Sequence, residues 1–282
     1  MTTDAPGAPT DPAHPSDRID TSIAHPARRY NYWLGGKDNF QADRDSGDAM
    51  ATAFPTIRIT ALENRRFLQR AVRYLAREAG MRQFLDIGTG IPTADNTHEV
   101  AQAIAPQTRV VYVDNDPIVL AHARALLTSA PEGATAYIDA DLLDPERILS
   151  HPDLRRTIDL GQPVALMLVA ILHFLPDPDD PYALVRRLLD ALPPGSYLAA
   201  SHATYDHLPA QVVEETRAAT RTGGEYGAIY LRGQADFTRF FDGLELVEPG
   251  VVSAAEWRAD AEPQPRPSAL DVSLYGAVAR KP

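Results

Sequence analysis

Cysteine is missing from all 282 residues, which excludes disulfides, thiolate-bound zinc, iron–sulfur clusters and cysteine nucleophiles by arithmetic. Any chemistry must run on oxygen and nitrogen groups. No apolar run approaches the ~20 residues needed to cross a bilayer, and the first residues lack the basic start and apolar stretch of a signal peptide. A cytoplasmic address without a membrane partner is therefore expected. Positive charge is scarce: 27 Lys and Arg stand against 38 Asp and Glu, a formal net charge of -11. That balance repels a phosphate backbone at long range and counts against nucleic acid as a partner, leaving a small molecule as the expected one. What the chain does hold is ordinary for a globular protein with a core to bury, 44% hydrophobic and 23% charged residues. No internal repeat is present.

The first eighteen residues place Pro6, Pro9, Pro12 and Pro15 among Ala, Thr and Asp, a mixture that neither buries apolar surface nor sustains a helix. Residues 1–20 are expected to be a disordered tail. In RRYNYWLGGKDNFQADRDSGDAM, aromatics crowd around Gly35 and Gly36 before an acidic, helical stretch. From Leu68 the series Leu68, Ala71, Val72, Leu75, Ala76 and Ala79 steps by three and four, predicting an amphipathic helix with Arg70, Arg73 and Arg77 on its polar side. Residues 21–80 thus form a helical cap, and 81–282 the main α/β domain.

Strand and helix then alternate, with apolar runs QFLDIG, RVVYVD, ATAYIDA, PVALMLVAIL and SYLAAS. Asp116 with Pro117, and Asp180 with Pro181, are helix starts in which the acid caps and the proline needs no amide hydrogen. Strands joined by crossover helices predict a parallel sheet covered on both faces. Helices are expected over 209–219 and around Phe237 to Phe241. The last two strands, GLELVEPGVV and SLYGAVAR, have no crossover helix between them and should pair antiparallel.

Three segments carry chemistry. In FLDIGTG, Gly88 and Gly90 let the backbone turn and approach a ligand where a strand gives way to a helix N-terminus; by itself this is also an ordinary tight turn. RVVYVDND ends in Asp114, 24 positions beyond Gly90, where nucleotide-binding α/β folds place an acid on ribose hydroxyls. AYIDADLLDP repeats the device with Asp139 and Asp141; such an acid accepts from an adenine amine, or caps a turn as Asp144 does ahead of Pro145. Asp139, Asp141 and Asp144 also lie close enough in sequence to hold magnesium, although no metal is expected.

The blocks DIGTG, YVDND and DADLLDP resemble the successive cofactor motifs of class I S-adenosylmethionine-dependent methyltransferases. HPARRYNYWLGGKDNFQADRD with DIGTGIPTADNTHEVAQ is similar to an actinobacterial methyltransferase family whose acceptor is unknown, over nearly the whole chain from Ile23. The resemblance implies a Rossmann-like, doubly wound seven-stranded sheet with its last strand antiparallel, plus an N-terminal helical cap. It implies S-adenosyl-L-methionine as cofactor, held by Asp86, Gly88, Thr89, Gly90, Asp114, Asn115, Asp141, Leu142 and Ala170. The segment RRYNYWLGGKDNF would be a lid, with Tyr30 and Trp33 near the sulfonium and Arg29 or Lys37 on the methionine carboxylate. Ala170, Ile171, Leu172 and His173 would line the meeting point of methyl group and acceptor, with His173 either the base or a histidine bonded to backbone. His202 is a weaker candidate for the same task, and His98 a structural residue. Ile91 and Pro92 stand where a third glycine is usual, so this is not a GxGxxG fingerprint; Pro92 would suit a helix start.

The expected function is methyl transfer to an unidentified small molecule. One alternative is a non-catalytic protein that binds the cofactor or its demethylated product as a signal; the other is a nucleotide-dependent oxidoreductase on the same sheet. Oligomeric state is not legible.

Overall fold

The computed structural model describes residues 20–126, 129–214 and 229–282. The expected tail and the far end of the 209–219 helix lie outside the described residues, and 210–214 are helical. Three helices precede the first strand: α1 (Pro26–Trp33), α2 (Gln41–Ala53) and α3 (Ile57–Arg77). Pro26 opens α1 beside the His25 ring, which accepts from the Ala27 amide. The Asp43 carboxylate closes the first turn of α2 by accepting from Phe40 N at 2.8 Å. The predicted stripe of α3 is buried at Leu68, Ala71, Val72, Leu75 and Ala76, with Phe67 buried beside it, whereas Ala79 lies past the helix end and is half-buried. Arg70 corrects the expectation of a polar outer side. It is buried, donating to the Trp257 and Ala254 carbonyls and pairing with Glu262 at 3.2 Å, because residues 254–262 cover that side of the helix.

The strands are β1 (Gln83–Ile87), β2 (Arg109–Asp114), β3 (Ala134–Asp139), β4 (Ala165–Leu168), β5 (Tyr197–Ala203), β6 (Glu245–Leu246), β7 (Val252–Ser253) and β8 (Leu274–Arg280). Their order is β3-β2-β1-β4-β5-β8-β6, with β7 also on β8. The first five pair in parallel and β8 runs antiparallel to β5, as expected. The count differs by one. The segment GLELVEPGVV is not one strand but two: β6 pairs with Ala279 and Arg280, β7 with Tyr275 and Gly276, and Pro249 and Gly250 lie between them. Proline gives no ladder amide, so the strand breaks while its two halves keep one position beside β8. Seven sheet positions result.

The crossover helices are α4 (Thr97–Ile104), α5 (Pro117–Leu126), α6 (Pro145–Ser150), α7 (Pro152–Thr157) and α8 (Pro181–Asp190). Asp116, Asp144 and Asp180 accept from Ile118 N, Arg147 N and Ala183 N, as their Asp-Pro pairs predict. The helix after the glycine turn departs from expectation. It begins at Thr97 behind the Asn96–Glu99 capping box, so Pro92 lies in a connecting loop and not at a helix start. In the final segment, helix Gln234–Thr238 runs into a 3₁₀ turn ending at Phe241, and a short helix, Ala269–Val272, precedes β8.

Alternation along the strands splits the core in two. Leu85, Ile87, Val111 and Val113 face α6 to α8 and the Phe237–Phe241 cluster. Phe84, Val110 and Tyr112 face α3, α4 and Trp257. Covering both faces leaves the carboxyl edge of the sheet, where the order reverses between β1 and β4, as the open crevice.

Candidate cofactor and acceptor site

A cavity of about 390 Å³ lies at that edge, roofed by α1, α2 and the first turns of α3. Read in sheet order, its floor passes from the end of β3 (Ala140–Leu143) to those of β2 (Val113–Asn115) and β1 (Asp86–Gly90). It continues over the loop after β4 (Val169–Ile171 and His173–Leu175) and β5 (Ala203, Thr204) to the start of β8 (Ser273, Leu274), whereas Leu172, expected on the lining, turns into the core because its side chain packs among the apolar residues under the sheet.

The glycine turn has a local cause. Gly88 sits at φ +75°, and a Cβ there would lie 2.2 Å from Ile171 Cδ1, so the loop after β4 packs against this turn only because the side chain is absent. Gly90, at φ +69°, has open space where a Cβ would stand, and its amide donates to Asp114 Oδ2 at 2.8 Å. Thr89 donates to the Asp86 carbonyl at 3.0 Å. Asp86 is buried and accepts from the Thr97 hydroxyl at 2.6 Å. Burial pushes its pKa up to about 6, against the pull of Thr97 and Arg65, with Asp114 adding to the rise. Burial likewise raises Asp114, although the Asp116 and Gly90 amides counter it. Asp141 accepts from Leu143 N and from Asn115 Nδ2 at 2.8 Å, tying the ends of β2 and β3 together. Leu142 is buried against the cavity, and Ala170, at φ +57°, lines it with its amide on Ser201 Oγ.

Asp86, Gly88, Thr89, Gly90, Asp114, Asn115, Asp141, Leu142, Ala170 and His173 therefore line one cavity, and Tyr30 and Trp33 lie in its roof. Arg29 and Lys37 do not. Arg29 is buried and donates to Ser46 Oγ at 3.1 Å, with burial pushing its pKa down to about 10; Lys37 is exposed. Among the described residues, the Lys or Arg side chain on the lining is that of Arg65. Its Nη2 donates to the Ala94 and Asp95 carbonyls and to Asn96 Oδ1, each at 3.0 Å, while its Nε is buried without a partner among the described residues. Nothing in the spacing pointed to Arg65, because the apolar stripe becomes readable only from Leu68, one turn later.

His173 sits in the 3₁₀ turn Leu172–Phe174 that follows β4. Burial, then the Arg232 and Arg29 cations, push its pKa down to about 3, so the ring is neutral at physiological pH and weakly basic. Its Nδ1 lies 3.5 Å from the Ala203 amide. His202 is buried beneath the floor, with Nδ1 2.7 Å from the Ala203 carbonyl and Nε2 3.1 Å from Arg232 Nη1. Those partners assign the proton to Nδ1 and leave Nε2 accepting. Arg232, which sequence reasoning missed, is buried and also holds the carbonyls of Leu172 and Leu175, bracketing the His173 turn. His98 meets the Tyr112 hydroxyl at 2.8 Å, a structural contact. No group of three His, Asp or Glu among the described residues is placed to hold a metal; Asp144 caps α6.

Acids at three consecutive strand ends, a glycine turn against the switch point and an antiparallel strand beside β5 together define a class I S-adenosylmethionine-dependent methyltransferase. The chain belongs to the S-adenosyl methyltransferase family, whose model matches residues 12–282. It is similar to the crystal structure of a DUF574 family protein from Streptomyces avermitilis, at 51% identity and TM-score 0.88, over 94% of this chain and 100% of that one. A Thermobifida fusca protein described as a candidate methyltransferase is 45% identical with TM-score 0.83, over 93% and 96% of the two chains. Among curated proteins, none matches.

S-adenosyl-L-methionine is thus the cofactor and the protein an enzyme. The cavity fits that molecule: the open side of Gly90 admits close backbone approach, and the unpartnered Arg65 Nε offers a donor for a carboxylate. The oxidoreductase and signal-binding readings find no support in the family or the fold. Among the described residues, no helix is long and apolar enough to cross a membrane.

Proposed function

We propose that the β3-β2-β1 half of the cavity holds S-adenosylmethionine and that the β4-β5-β8 half receives a small-molecule acceptor. The supporting observation is the succession of Asp141, Asp114 and Asp86 on one side of the switch point, with Ala170, Ile171 and His173 to Leu175 on the other. Asp114 binds the ribose hydroxyls, Asp141 and Asn115 the adenine edge, with Leu142 packing beside the ring, and Gly88 to Gly90 the chain that leads to the sulfur. Arg65 binds the methionine carboxylate in place of Arg29 and Lys37, because it alone of these cations reaches the lining. The bound cofactor supplies an electrophilic methyl group on a sulfonium. Residues 21–80 act as the cap that excludes water from it, and residues 81–282 carry the sheet. His173, neutral in the resting site, faces the acceptor and orients its nucleophilic atom, so rate comes chiefly from alignment. The net charge of -11 disfavours nucleic acid as substrate, and a cytoplasmic, membrane-independent enzyme is the setting this implies.

Calorimetric titration with S-adenosylmethionine and S-adenosylhomocysteine tests this assignment. Dissociation constants on the order of 1 to 100 μM, weakened by Asp114→Ala, with no binding of NAD, are the expected result. Wild-type affinity in Asp114→Ala would overturn the residue assignment.

A further inference from the structure

The acceptor half of the cavity differs in kind from the cofactor half. Its position is fixed independently of the lining: Thr60, near the start of α3, donates to the Val272 carbonyl at 2.8 Å just ahead of β8, and Asn64 accepts from Ser201 of β5 at 2.6 Å. The first turns of α3 and the neighbouring end of α2 therefore roof the β5-β8 side, whereas Arg65 reaches the loop after β1. The walls there are Met50, Phe54, Ile57, Phe174, Leu208 and Ile229. Among the described residues, every ionisable lining residue other than His173 and Tyr30 belongs to the cofactor side: Arg65, Asp86, Asp114, Asp141 and His25, the last beside Asp116 at 3.0 Å. Tyr30 is a half-buried neutral phenol, donating to the Ala61 carbonyl and accepting from Asn64.

The other polar groups on this side are already engaged. Ser273 Oγ donates to the Leu270 carbonyl and Thr204 Oγ1 accepts from Asp206 N. His173, whose ring packs on Phe174 and His202 and makes one long hydrogen bond at 3.5 Å, retains hydrogen-bonding capacity for a ligand. A charged acceptor would lose its hydration here with no opposite charge to contact on the described lining, since Arg29 and Arg232 act on His173 from outside it, while aromatic and thioether walls favour a flat apolar body.

We infer that the acceptor is a neutral, predominantly apolar, ring-containing small molecule that presents one hydroxyl or amine to His173. This inference rests on the two-half reading above. The acceptor's oxygen or nitrogen forms the bond to the methyl carbon as the carbon–sulfur bond breaks with its electron pair on sulfur. A hydroxyl acceptor becomes an oxonium acidic enough to pass its proton to the weakly basic His173 imidazole, whereas a methylated amine carries its proton out to solvent as the product leaves.

The test uses the full chain saturated with S-adenosylhomocysteine and three probes of one shape: 2-naphthol, 2-naphthoate and 2-naphthylmethylammonium, titrated at pH 7. Naphthol is expected to bind at least tenfold more tightly than either ion. Phe54→Asp or, as a second variant, Ile229→Asn should weaken naphthol at least fivefold, with S-adenosylhomocysteine affinity held within twofold as the check on folding. An ion that binds as well as naphthol, or naphthol failing on protein that binds S-adenosylhomocysteine normally, overturns the inference alone. Loss of S-adenosylhomocysteine binding in the wild type overturns the two-half reading and the inference with it.

Discussion

The two halves of the cavity floor are built by different rules. On the β3-β2-β1 side each strand ends in its own acid or in the glycine turn, so the residues that would meet the cofactor follow immediately from the strands that place them. On the β4-β5-β8 side the surface is assembled from the end of α2, the start of α3, a 3₁₀ turn and residues 229–231, drawn from places far apart in the chain. Electrostatics follows the same division. Burial raises the pKa of Asp86 and Asp114 on one side and lowers that of His173 on the other, disfavouring the charged form in both halves. A cofactor with hydroxyls and a carboxylate asks for local acids and one cation; an apolar acceptor asks only for a shaped wall.

The sharpest way to break this comparison is through stability. Asp86 has its pKa raised to about 6 from 3.8, so its contribution is fully present below pH 3.8 and is lost as pH rises through 6. Asp86→Asn, which keeps a partner for Thr97, should raise unfolding stability at pH 7.5 by up to about 3 kcal/mol, with no difference near pH 3.5. Denaturant melts at the two pH values check it, and equal gains at both would mean burial is not the cause.

Next in size is Asp114→Ala, expected to weaken S-adenosylhomocysteine roughly a hundredfold, about 2.7 kcal/mol, by calorimetry. The same change should leave naphthol binding to the saturated complex within threefold if the halves are separate.

His173 runs with the opposite sign. Its pKa is depressed to about 3 from 6.5, so its contribution is present above pH 6.5 and lost as pH falls toward 3. His173→Gln should remove about 2 kcal/mol of the stability lost between pH 7.5 and 5, read from denaturant midpoints; an unchanged loss would return the acid sensitivity to His202. The smallest effect separates the cations: Arg65→Met should cost about tenfold in S-adenosylhomocysteine affinity, about 1.4 kcal/mol, and Lys37→Met less than twofold.

Much of the architecture was legible because its signals are short-range. The five parallel strands, the three Asp-Pro caps and the closing antiparallel pair each depend on neighbours within a few residues. The β6–β7 break was present in the sequence as Pro249 and Gly250, but only β8, pairing with both pieces, shows that they share one position. Arg70 reads as a solvent-facing charge in any helical pattern; its burial depends on residues 254–262, nearly two hundred positions away.

The sequence by itself determined the fold class, the acids at the strand ends and, through the family resemblance of its motifs, the cofactor, because a carboxylate at a strand end is placed by backbone geometry that the strand itself encodes. Tertiary structure alone decided which cation reaches the lining, which histidine stays neutral beside it and how apolar the acceptor wall is. Those depend on long side chains, on desolvation and on surfaces contributed by segments that meet only when the cap closes over the sheet.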